Sequence, residues 1–195
     1  MAPRLVAKDI RELLPMRRAP GNHVSHIINQ LCVRLGKFEE RDPDDTVSQI
    51  QFEMGSAAEQ AIADGLVKRF SMDDMQRYIH GVELERDGIT GNCDLFDSLD
   101  FVVEEVKLTK ISIRNEIDGD RFWHYWQQLK NYCYMIGALT GRLHIIFVNG
   151  NYKFPGDRGW SPELSGWQYR CWEDTWTKKE LADAWRMTSG HRLTG

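Results

Sequence analysis

The sequence predicts an α/β fold, a mixed central sheet flanked by helices. Three observations carry that expectation. From Tyr78 to Thr109 the apolar positions alternate with period two across two turn signals, between Phe122 and Ile136 they follow the helical period, and Leu143 to Val148 is a nearly unbroken apolar run. Alternation with short turns builds an antiparallel meander, whereas a short continuous apolar run fits a strand buried on both faces. The resulting order is strand, strand, strand, helix, strand.

Each element has its own local reason. Val24, Ile27, Ile28, Leu31 and Leu35 recur at helical spacing and Gly36 follows where a C′ glycine belongs. Glu39 to Asp45 is charged and reads as a loop, after which a second helix is expected from about Thr46 to Lys68. Ile79, Val82 and Leu84 mark the first strand, Asp87-Gly88 a hairpin turn, and Ile89 to Phe96 the second strand. Asp97 to Asp100 is the next turn and Phe101 to Thr109 the third strand. Phe122, Trp126, Leu129, Cys133 and Ile136 place a helix from about Gly119 to Leu139, ended by Thr140-Gly141. A glycine- and proline-containing loop separates the run ending at Val148 from a strand at Gln168 to Glu173. Thr177 and Glu180 form a capping box that opens a last helix running through Met187. Residues 1–20, which mix five basic side chains with prolines and a few aliphatics, read as a flexible arm, and 21–195 as a single domain.

Composition narrows the class. The chain has 195 residues, is 42% hydrophobic and carries a formal net charge of -4. A mean hydropathy of -0.50 and the lack of any apolar run approaching about 18 residues predict no membrane span, no signal peptide and a cytoplasmic protein. The acidic balance does not advertise nucleic-acid binding, yet a site that gathers carboxylates around a metal can be acidic overall and still grip phosphates through a local basic patch. Cys32, Cys93, Cys133 and Cys171 lie far apart with no C-x-x-C pair and read as reduced core residues. His23 and His26 share a helical face without an accompanying cysteine or carboxylate motif, so a zinc site is not expected.

Chemistry concentrates in Asp94 and in the strand Val102-Val103-Glu104-Glu105-Val106-Lys107. Residues two apart on a strand share a face, so Glu105 and Lys107 project together and Asp94 on the adjacent strand can meet them, while Glu104 points away. Two carboxylates and an ammonium in an apolar strand are costly unless they pair with one another or with a cation. Hard carboxylate oxygens suit Mg²⁺ or Mn²⁺, and hydrolysis of a phosphodiester calls for such an ion, an oriented water and a positive group for the developing charge. The bland alternative is a cross-strand salt bridge on a solvated sheet face, but that leaves the flanking Val102, Val103 and Val106 without a reason.

Asp94 followed by Glu105-x-Lys107 resembles the PD-(D/E)XK nuclease superfamily, and Gln128-x-x-x-Tyr132 on the next helix resembles the motif of its RecB-type and phage-exonuclease branch. Gly91 to Asp94 resembles the Gly-x-x-Asp form found in RecB-type members in place of the superfamily's proline, and Met54 to Glu59 resembles the helix that adds a further acid. The resemblance implies a restriction-endonuclease-like fold and a Mg²⁺- or Mn²⁺-dependent deoxyribonuclease. It further implies an exonuclease of phage recombination or repair that leaves 5′-phosphates, in the host cytoplasm if phage-encoded. It assigns Asp94, Glu105, Lys107, Gln128 and Tyr132 to catalysis, and Asp94, Glu105 and Glu59 to the metal, Glu59 standing evenly between ligand and surface acid. Relatives that hold an iron–sulfur cluster use three late cysteines where this chain has only Cys171, so no cluster is expected. Lys110, Arg114 and Lys130 are candidates for phosphate contact, and Trp160, with Trp167, for stacking on bases. DNA is the expected partner, with a homo-oligomer or a recombination protein possible besides. The rival readings are a structure-specific or restriction-like endonuclease, and a DNA-binding protein that keeps the fold without turnover.

Overall fold

The computed structural model describes residues 22–37, 46–70 and 77–191. The arm expected at 1–20 and the loop expected at 39–45 lie outside the described residues. Helices α1 (Val24–Arg34) and α2 (Thr46–Phe70) precede strands β1 (Tyr78–Arg86), β2 (Ile89–Asp97) and β3 (Val102–Thr109). Helix α3 (Trp123–Ile136), strands β4 (Thr140–Phe147) and β5 (Gln168–Thr175) and helix α4 (Lys178–Ser189) complete the order.

The five strands form one sheet in sequence order. β1 to β3 are an antiparallel meander, β4 runs parallel to β3, and β5 returns antiparallel. A parallel neighbour needs a long crossover, and α3 supplies it. The larger core joins Val24 and Ile27 of α1, Leu129 and Cys133 of α3 and Leu181 and Trp185 of α4 to Cys93, Val103, Leu143 and Ile145 of the sheet. A smaller cluster of Ala63, Tyr78, Leu95 and Val106 packs α2 on the other face. The central strands β3 and β4 are thus largely buried on both faces, which is why β4 reads as a near-continuous apolar run.

α3 ends earlier than expected. The helix ends at Gly137, whose φ of +89° is the left-handed cap, and not at Thr140-Gly141, which instead opens β4. Gly141 is there for packing: a Cβ on it would lie 2.9 Å from Leu129 Cγ. Gly91 works the same way, since its Cβ would lie 2.6 Å from the buried Tyr132 ring. The glycine of the Gly-x-x-Asp stretch therefore makes room for the tyrosine of the helix motif.

Where β1 and β2 change cores, the ladder lapses. Val82 and Cys93 pack toward the larger core, whereas Tyr78 and Leu95 join the smaller one. Between them stands Gly81, with φ +65°, opposite Asp94, and neither residue forms a rung. Asp94 is thereby released from regular pairing.

On the face opposite the larger core, Glu104 is buried and accepts hydrogen bonds from Arg142 Nη1 at 2.8 Å and from the His144 ring at 2.9 Å. The other ring nitrogen meets the Tyr169 hydroxyl at 2.7 Å. Burial works against a charged His144, but the Cys171 sulfur at 3.9 Å and the Glu104 carboxylate outweigh it and raise the imidazole to about 9. Cys171 itself is exposed, contrary to its reading as a core residue. Because the folded-state value exceeds that of an unfolded histidine, the stabilisation is complete below about pH 6.5 and is lost as pH rises through about 9, amounting to no more than about 3 kcal/mol. Urea midpoints should fall between pH 6.5 and 9.5, and His144→Gln should flatten that fall; an unaltered slope in the variant would refute the assignment.

Candidate active site

The acids and the amine predicted to converge do so. Glu105, fully buried on β3, accepts a hydrogen bond from Lys107 Nζ through Oε1, and Lys107 Nζ lies 4.0 Å from Asp94 Oδ2. Asp94 reaches across from β2 and accepts from the Val106 backbone N–H through Oδ2 at 2.7 Å. That bond holds the carboxylate against β3 where the regular ladder between the strands has ended.

α3 supplies the second layer. Gln128 Nε2 donates to Glu105 Oε1 at 2.7 Å and to the Tyr132 hydroxyl at 3.0 Å. The four-residue step stacks the two side chains on one helical face, and Tyr132 is locked between α3 and Gly91. The far side of α3 is pinned to α4, with Gln127 Nε2 donating to Ala184 O at 2.8 Å and Asn131 Nδ2 to Thr188 Oγ1 at 2.8 Å. The helix that aims Gln128 therefore cannot roll without breaking buried bonds.

The electrostatics are those of crowded anions. Burial, and next the charge of Asp94, push the Glu105 carboxyl well above its ordinary range, against the pull of Lys107. Glu59 of α2 is raised by burial and by Asp94 as well, and Lys107 only partly offsets this. Burial works against a charged Lys107, but Glu105 and Asp94 more than reverse it, so Lys107 is an ammonium held above its ordinary value. Tyr132 is likewise kept a neutral phenol by burial and by the charge of Glu105.

Among Glu59, Asp94 and Glu105, one buried oxygen lacks a partner. Glu105 Oε2 is buried and has no hydrogen-bond partner, and an orphaned carboxylate oxygen costs about 1–3 kcal/mol or more. Asp94 and Glu59 are near enough to raise Glu105 by their charge, and carboxylate oxygens are the donor chemistry of a hard divalent cation. As they stand, no three His, Cys, Asp or Glu residues among those described are drawn together closely enough to enclose an ion. The donors fit the cation in kind.

Other expected residues are placed as follows. Lys110 is exposed directly after β3, and Arg114 Nη2 donates to Gly159 O at 3.0 Å, tying this segment to the 149–167 loop. Trp160 is exposed in that loop. Lys130 is not brought to the site: two positions from Gln128, it projects from another side of α3, over the Trp176 ring at 5.5 Å. There it lines a cavity of about 340 Å³ with Trp123, Trp126 and Trp172. Sequence reasoning missed His80, whose Nε2 lies 3.8 Å from Glu59 Oε1. A polar residue amid the apolar positions of β1 was the available signal. Glu104 points away from the site as expected, but nothing local marks Arg142 and His144 as its partners.

No protein-family model matches the sequence, and no curated protein matches it. Among solved structures the chain is similar to a phage-related exonuclease from Haemophilus somnus, at 10% identity and a TM-score of 0.49, covering 86% of this chain and 78% of that one. It is also similar to an alkaline exonuclease from Laribacter hongkongensis, at 13% identity and a TM-score of 0.48, covering 87% and 84%. The same enzyme in complex with dAMP gives 11% identity and a TM-score of 0.47, covering 88% and 85%. Likenesses of this degree add nothing to the chemistry, which rests on the residues of the site.

Proposed function

We propose that this chain is a metal-dependent deoxyribonuclease of the PD-(D/E)XK kind, an exonuclease that hydrolyses phosphodiester bonds to leave 5′-phosphates. The observation that carries this reading is the meeting of Asp94, Glu105 and Lys107, with one oxygen of the buried Glu105 carboxyl left without a partner. A salt bridge on a solvated face would leave no such oxygen and would not bury Glu105 completely.

Glu59, Asp94 and Glu105 would hold Mg²⁺ or Mn²⁺. When bound, the ion would neutralise phosphoryl charge and lower the pKa of a water nucleophile. The protein's own contributions follow from the hydrogen bonds. Lys107, held as an ammonium, offers a fixed positive charge to the phosphoryl oxygens as their charge grows in the transition state. Gln128 occupies Glu105 Oε1, which leaves Oε2 as the free donor, and Tyr132 fixes Gln128 in turn. Lys110 and Arg114, next along the chain from the catalytic strand, would contact the phosphates of the substrate strand.

A time course on end-labelled linear duplex, linear single-stranded and circular DNA, with and without Mg²⁺, tests the reading. Release of mononucleotides from linear DNA only in the presence of metal is expected. Inert linear substrates with both Mg²⁺ and Mn²⁺ would overturn it, and equal cutting of circles would replace the exonuclease by an endonuclease on the same site.

A further inference from the structure

Six aromatic side chains stand among the exposed large hydrophobic residues described, and five of them lie between 152 and 169. Phe154 is 73% exposed and Trp167 63%, with Tyr152, Trp160 and Tyr169 exposed beside them in the chain. The stretch contains no exposed leucine, isoleucine, valine or methionine, and methionine is among the residues that accompany aromatics in protein–protein contacts. An exposed set of this kind marks a binding surface, and flat rings without aliphatic neighbours suit flat partners.

The segment is ordered around its own backbone. Asn151 N donates to Leu164 O at 2.8 Å, Ile113 N to Gly150 O at 2.9 Å, and Trp160 N to Asp157 O at 3.0 Å. Its acids are engaged locally: Asp157 accepts from the Phe154 N–H and Glu163 from the Ser161 hydroxyl. Lys153 and Arg158 have no acidic partner among the described residues, and neither does Lys110 across from them at the end of β3. Rings are thus interleaved with uncommitted cations. The loop also begins beside the site, because Thr109 pairs with Phe147 two residues beyond the pairing of Lys107 with Ile145, a step of about 7 Å along the sheet.

We infer that the 149–167 loop, with Tyr169 at its foot, is a stacking platform for unpaired bases, so that the preferred substrate presents a single strand or a single-stranded tail to the site. This rests on the phosphodiesterase reading of that site and adds its substrate class. Stacking tolerates any base because every base has a π-face, and the cations answer the phosphates.

The test is binding, without turnover. The full chain is held in EDTA, and its affinity is measured by fluorescence anisotropy for oligo-dT of about ten nucleotides and for an abasic oligonucleotide of the same length and charge. The parent should bind oligo-dT at least about tenfold more tightly than the abasic strand, and Phe154→Ala/Trp167→Ala should bring oligo-dT down to the abasic level. Both positions are exposed, so an unchanged melting temperature will show that the variant folds. Equal affinity of the parent for the two strands would overturn the platform. So would a variant that keeps its preference for oligo-dT, including one that instead loses self-association in sedimentation, which would make the surface a protein contact. Since no cleavage is read, absence of nuclease activity would sink the phosphodiesterase reading and leave this comparison standing on its own result.

Discussion

Lys107→Ala is expected to lower DNA cleavage at least about a hundredfold while changing DNA affinity by less than about threefold. The ammonium touches Glu105 Oε1 and lies 4.0 Å from Asp94 Oδ2, so it is aimed at the place where phosphoryl charge would grow. It is one charge among several available for ground-state contact with a strand, so its loss falls mainly on the transition state. The same substitution also strands Glu105 as a buried carboxylate whose remaining side-chain donor is Gln128. Breaking a buried pair this way costs about 3–5 kcal/mol, or drives the acid to its neutral form. Lys107→Met combined with Glu105→Gln removes both charges at similar volume, and should recover stability in urea without recovering cleavage. A single variant that cuts DNA at the parent rate would exclude Lys107 from the chemistry.

Asp94→Asn should abolish the heat of Mn²⁺ binding in calorimetry and reduce cleavage at least about a hundredfold. The replacement is chosen for the bond to Val106. An asparagine oxygen can still accept that backbone N–H, so the join between β2 and β3 should survive and thermal unfolding should shift little. What is lost is the negative charge that helps raise both Glu59 and Glu105. Unchanged Mn²⁺ heat in this variant would mean that Asp94 is a structural acid tying two strands, with the cation site elsewhere or absent.

Much of this arrangement was legible because its causes are local. Asp87-Gly88 turns the β1–β2 hairpin, with φ of +51° and +73° that suit these residues. The capping box forms as read, with the Thr177 N–H donating to Glu180 Oε2 at 2.7 Å and the Glu180 N–H to Thr177 Oγ1 at 3.2 Å. Period two puts Glu105 and Lys107 on one face, and a four-residue step puts Gln128 under Tyr132. The end of α3 was misplaced because Gly141 was read as the stop, whereas the left-handed turn falls at Gly137 and Gly141 is bare for the packing of Leu129.

What escaped the sequence is what depends on distant partners. Nothing within a few residues of Glu104 says that Arg142 and His144, on a parallel strand reached only after α3, will neutralise it. Nor does the local pattern show that Gly81 interrupts the ladder opposite Asp94, or that the rings of 152–169 stay in water while Trp176 and Trp185 are buried.

By itself, then, the sequence determined the elements, their periodicity and the list of acids and amine, since these follow from side-chain spacing on a repeating backbone. Only the tertiary structure decided which oxygen of Glu105 is left without a partner, that Asp94 is anchored by a backbone N–H, and that Lys130 points elsewhere. Hydrogen bonds and burial are relations between segments far apart in the chain, and they take values only once the sheet and its helices have closed around them.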